Sequence, residues 1–140
     1  MSRTTRTLGL VCALILAVIA LVYAVMLNSA LIAYGGFGNL TYGKGFLILL
    51  YIVICPMMVA IALQNAWHFI RLMRDPDRRT PRLLRPGLWL IAVIWGLVFV
   101  AGLFSGRHGS GAQGIVMFTL SYAVPSVLAQ FCLGILPKRR

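Results

Sequence analysis

Glutamate is absent from this chain, and Asp75 and Asp77 are its only acidic residues. That scarcity removes several kinds of chemistry at once. An ion-coupled carrier of this size normally keeps a carboxylate inside the membrane to take and release its coupling cation. Neither aspartate lies in an apolar run, so proton coupling by that route is not expected. Catalysis by paired carboxylates fails too, and Ser105 with His108 has no carboxylate on the same side to orient the imidazole. Cysteine is scarce and scattered: Cys12, Cys55 and Cys132 form no C-x-x-C pair, and each reads as a small buried hydrophobe. The two histidines, His68 at the inner boundary and His108 outside, have most of the membrane between them and cannot share a haem or a metal. The chain therefore reads as a non-enzyme with no cofactor and no metal site.

What the chain has in quantity is uncharged apolar length. Of its 140 residues, 61% are hydrophobic. Four runs carry no charge: Leu8–Leu27, Phe46–Ile70, Pro86–Phe104 and Ile115–Leu136. Crossing a bilayer takes about 20 residues at about 1.5 Å each, and one charge at mid-helix costs about 2.5 to 3.5 kcal/mol. Each run satisfies both conditions. The expectation is a single all-α domain over residues 1–140, an integral membrane four-helix bundle. The first run follows Arg3 and Arg6 as a secretory signal would. However, it exceeds the usual core of about 7 to 15 residues and ends without a small-x-small site.

The net charge of +11 invites a nucleic-acid reading, which the spacing of the charges opposes. Arg3 and Arg6 precede the first run. Arg71, Arg74, Arg78, Arg79, Arg82 and Arg85 separate the second from the third, and Lys138, Arg139 and Arg140 follow the fourth. Lys44 and Arg107 alone fall in the other two connections. The positive-inside bias then predicts both termini and the middle connection in the cytoplasm, in a bacterial inner membrane. An odd number of crossings would strand one basic cluster. Trp67, His68 and Trp89 mark the inner boundary, Tyr34 and Tyr42 the outer.

The stretch GNLTYGKG, Gly38 to Gly45, approaches a phosphate-binding loop but ends in glycine where magnesium requires a hydroxyl. It also lacks a preceding strand. It reads as a glycine-rich outer loop, as does Ser105 to Gly114 with Arg107 and His108. Asn39-Leu40-Thr41 matches a glycosylation acceptor, relevant only in a lumenal setting.

Helices in lipid associate through small residues and polar contacts. Ala13, Ala17, Ala20 and Ala24 form one seam in the first helix, and Ala92 with Gly96 a second in the third. Pro56 and Pro125 each stand ten residues after the start of their runs and are expected to kink helices two and four, freeing the carbonyls of Ile52 and Ser121. That correspondence, with Ala60 and Ala129, raises the possibility of two related hairpins in tandem. By depth, Gln64, Asn65, Ser126 and Gln130 share the cytoplasmic half, where they would act as interhelical glue or line a small inward-facing pocket. Asp75-Pro76-Asp77 should turn the arginine-rich connection. In that connection, Arg78, Arg79 and Arg82 would meet anionic lipid headgroups or an acidic partner.

Two functions remain open on these grounds. One is an accessory, assembly or immunity-type subunit of a membrane complex, working with a membrane-protein partner and without catalysis of its own. The other is a homo-oligomeric channel or carrier for a neutral or anionic solute.

Overall fold

A computed structural model describes residues 2–33, 44–105 and 112–138, and every regular element among them is helical. Helix α1 spans Arg3–Ala33, α2 Lys44–Arg74 and α3 Leu84–Ser105. Then α4 (Ala112–Phe118), a π-helical turn (Thr119–Ala123) and α5 (Val124–Ile135) follow one another without a break. Four of the resulting helical stretches are long and apolar enough to cross a membrane. The Asn39 acceptor, most of the Gly38–Gly45 stretch, Arg107 and His108 lie outside the described residues.

The helices outrun the apolar runs because backbone capping, not hydropathy, sets where a helix stops. Helix α1 starts at Arg3 rather than Leu8. Ser2 caps it: its Oγ accepts the Thr5 amide hydrogen at 3.2 Å, and its carbonyl accepts that of Arg6 at 3.2 Å. Helix α2 runs past Ile70 to Arg74 and stops where Pro76 cannot continue it. The Asp75-Pro76-Asp77 turn forms as expected, with Asp75 Oδ1 accepting the Asp77 amide hydrogen at 3.3 Å. Helix α5 closes with the Leu136 amide donating to the Cys132 carbonyl at 3.1 Å, and Pro137 follows.

The two prolines are handled differently. Helix α2 passes through Pro56, whose side chain is exposed. Pro125 is buried near the start of α5 and cannot donate to Ser121, and the π-helical turn lies immediately before it. A π turn shifts the hydrogen-bond register by one residue, one way to absorb a missing donor.

Helix α1 packs against α2 and α5, and α3 packs against α5 and, less extensively, α2. Helices α2 and α5 thus occupy opposite corners. The alanine seam of α1 is used: Ala13, Ala17 and Ala20 are buried and Ala24 is half-buried. Ala92 is buried as well. Ser126 of α5 donates to its carbonyl at 2.8 Å, and Gly96, one turn on, leaves room for that same hydroxyl. At the end carrying the basic clusters, hereafter the basic end, Phe69, Leu72, Leu84 and Leu88 are wholly buried.

A candidate polar site at the basic end of the bundle

Three helices converge on Gly9. A Cβ there would overlap Phe69 Cε1 and would come within 3.0 Å of Cζ and 3.1 Å of Cδ1, so the ring of α2 lies directly on the backbone of α1. From α5, the Cys132 thiol points to the Gly9 carbonyl at 4.0 Å. Glycine here removes the side chain that would hold α1 and α2 apart, and polar groups on the facing helix are buried at this end.

Those groups are Asn65 and His68 on α2. Asn65 is 0% exposed and His68 3%, and neither Asn65 amide atom nor His68 Nε2 has a hydrogen-bond partner. The Asn65 amide neighbours the Cys132 thiol closely enough to act on it, but outside hydrogen-bond geometry. Spaced three apart, Asn65 and His68 share one face of α2. His68, expected as an interface anchor, is therefore enclosed instead. Its edge faces the Phe69 ring, with centroids 6.4 Å apart.

The expected quartet of Gln64, Asn65, Ser126 and Gln130 does not assemble. Gln64 and Gln130 are exposed on the outer surface of the bundle. Adjacent helical residues are turned about 100° from each other, so Gln64 and Asn65 cannot both face inward. In α5 the inward position beside Gln130 belongs to Ala129, which is fully buried. Ser126 is half-buried and engaged with the Ala92 carbonyl.

The arginines divide into two groups. Arg78, Arg79 and Arg82 are exposed. Arg6 and Arg85, not singled out from sequence, act on helix ends. Arg6 Nη1 donates to the Leu72 carbonyl at 3.2 Å, and Arg85 Nη2 donates to the Leu136 carbonyl. Both supply a cation to carbonyls that the last turn of a helix leaves unpaired. Thr80 is buried in the connection between α2 and α3 and donates to the Pro137 carbonyl at 2.8 Å. The connection is thereby fastened to the end of α5.

Farther along the bundle, Tyr23, Trp95 and Tyr122 form a second group that the sequence did not reveal. Their ring centroids are 5.0, 5.6 and 6.1 Å apart, which is ring-on-ring contact with no space for a ligand between them.

No family model, no curated protein and no solved structure matches this chain. The three cysteines are free, and among the described residues no three His, Cys, Asp or Glu side chains come together to hold a metal. What the basic end offers is a buried polar pair, two arginine-capped helix ends and a buried apolar layer of Phe69, Leu72, Leu84 and Leu88.

Proposed function

We propose that the protein is a polytopic protein of the bacterial inner membrane, with both termini and the arginine-rich connection in the cytoplasm. In this reading it serves a membrane complex as an accessory, assembly or immunity-type subunit and performs no catalysis. The orientation follows from the basic clusters, and α2 and the α4–α5 helix bend at Pro56 and Pro125. Reporter fusions test the orientation: tags beside Arg79 and Ser110 should answer from opposite compartments. Answers from one side would overturn it.

One observation carries the subunit role: the outward face of α5. Val127, Gln130, Phe131 and Gly134 are exposed at helical spacing, and Gln130 lies about 7 Å inside the helix end at Ile135. An amide facing hydrocarbon seeks a partner, and Gly134, around which this chain places nothing within 4 Å, allows another backbone to approach closely. A polar residue one turn from a small one is how helices recognise each other in lipid. The burial of Leu72, Leu84, Leu88 and Leu136 at the basic end supports the same reading, since it is an apolar layer and not a polar path.

Gentle extraction and mass determination should find a stoichiometric foreign membrane protein. Gln130→Leu should weaken its retention about fivefold to thirtyfold, the equivalent of a hydrogen bond worth about 1 to 2 kcal/mol. Gly134→Leu should abolish it by blocking approach. Unchanged retention in both variants would refute the α5 face.

A second reading has its own support. Gln64 on α2 and Gln130 on α5 stand at opposite corners, so Gln64 of one copy could meet Gln130 of the next and close a ring. A homo-oligomer of defined mass, with solute flux in liposomes lost in Gln130→Leu, would favour this conduit over the accessory subunit.

A further inference from the structure

We infer that the outward face of α2 at the basic end binds one anionic phospholipid, with the headgroup phosphate on Arg71 and Arg74 and an acyl chain along the helix above Trp67. The face is continuous. Val53, Pro56, Ala60, Leu63, Trp67, Arg71 and Arg74 are all exposed and recur every three or four residues. Its apolar part is uneven, since Pro56 and Ala60 project little between the larger Val53 and Leu63. That leaves a shallow recess on the stripe between Val53 and Leu63.

At the lower end, Trp67 is 55% exposed and the Arg71 guanidinium carbon lies 5.0 Å from its ring centroid. Stacking holds the guanidinium beside the helix with its N–H groups available to a second partner. Arg71 and Arg74 occupy the last turn of α2, one helical step apart. Arg78 follows in the connection, exposed.

The chain's only carboxylates are Asp75 and Asp77, in the turn that follows α2, where Asp75 Oδ1 accepts the Asp77 amide hydrogen. Arg6 and Arg85 are taken up by the carbonyls of Leu72 and Leu136. The complement of a stacked guanidinium, a second arginine and an exposed apolar stripe above them is an anion joined to a hydrocarbon chain. A soluble phosphate would use only the arginines. A lipid uses the whole face, so the geometry favours the lipid.

The test uses the full chain in phosphatidylcholine vesicles carrying brominated phosphatidylglycerol or brominated phosphatidylcholine. Quenching of Trp67 is taken as the difference from Trp67→Phe. Brominated phosphatidylglycerol should quench at a mole fraction about thirtyfold lower than brominated phosphatidylcholine. R71Q should reduce that preference about fivefold, and R71Q/R74Q should remove it. Circular dichroism should show unchanged helix content, since both side chains are exposed.

Equal quenching by the two lipids in the wild type, which needs no arginine variant, would overturn the proposal. So would an equal loss of preference in R79Q/R82Q, which would mean diffuse surface charge. Abolition by inorganic phosphate at constant ionic strength would mean a free anion site, and would overturn it as well. The proposal rests on the membrane reading but not on the α5 partner. Reporter fusions that respond correctly while the lipid preference fails would sink this site alone.

Discussion

Replacing Gly9 with leucine should destabilise the folded protein by about 3 kcal/mol or more, the upper range for forcing volume into a packed core. The cause is local. Phe69 is wholly buried and its ring edge occupies the space a Gly9 side chain would need. Phe69 belongs to a buried core cluster that also holds Ala13, Ala66 and Leu72, which restricts where its ring can go. Alanine should be milder, because its gain of about 1 kcal/mol in helix propensity offsets part of the clash. Unfolding in mixed micelles, followed by circular dichroism, would measure both.

The clash has a specific relief. Shrinking the ring in Phe69→Leu should cost stability alone, yet Gly9→Ala with Phe69→Leu should lose less than the two singles combined. A coupling of about 0.5 kcal/mol or more in that cycle is expected for residues in contact. Strict additivity would show that α1 and α2 do not meet at Gly9, and the description of the basic end would fall with it.

The second large effect has the opposite sign. Asn65→Leu should stabilise the protein by about 1 to 3 kcal/mol, the penalty for a buried polar group left without a partner. Both amide atoms are unpaired in a fully buried residue, and leucine has a similar shape. The Cys132 thiol beside it is a weak donor that replaces little of what the amide gives up in leaving water. Asn65→Asp, which buries a charge, should be strongly destabilising. If Asn65→Leu proves destabilising, the amide has a partner, and ordered water between Asn65 and His68 becomes the first candidate.

A stabilised Asn65→Leu would also carry a functional message. Residues that cost stability persist where they serve something else, so the variant should be scored for partner retention beside the Gln130 variants. Loss of retention with a gain in stability would move the functional centre from the α5 face to the buried pair.

The four long helices were legible because the cost of placing an arginine in hydrocarbon belongs to the residue type and needs no neighbours. The uncharged runs could be read one at a time for that reason. The alanine seam of α1 was legible on similar grounds: small residues at a spacing of three and four mark a close approach whatever lies opposite. The turn at Asp75-Pro76-Asp77 was legible because its hydrogen bonds are local.

The candidate site was legible only in part, and the reason is rotation. Depth along a helix can be counted from the sequence, and Gln64, Asn65, Ser126 and Gln130 do share a level. Facing direction changes by about 100° per residue and depends on which neighbours a helix finds. Packing turned Asn65 and His68 inward and left Gln64 and Gln130 outside. The meeting of Gly9 with Phe69, 60 residues apart, has no local signature. Nor do the bonds from Arg6 to Leu72 and from Arg85 to Leu136, which form only once distant helix ends lie side by side. Composition and the order of charges by themselves determined how many helices form and which ends are basic, since both follow from single-residue transfer energies. Only the tertiary structure decided which polar groups are shut in and which face outward, because that choice is made by contacts between helices.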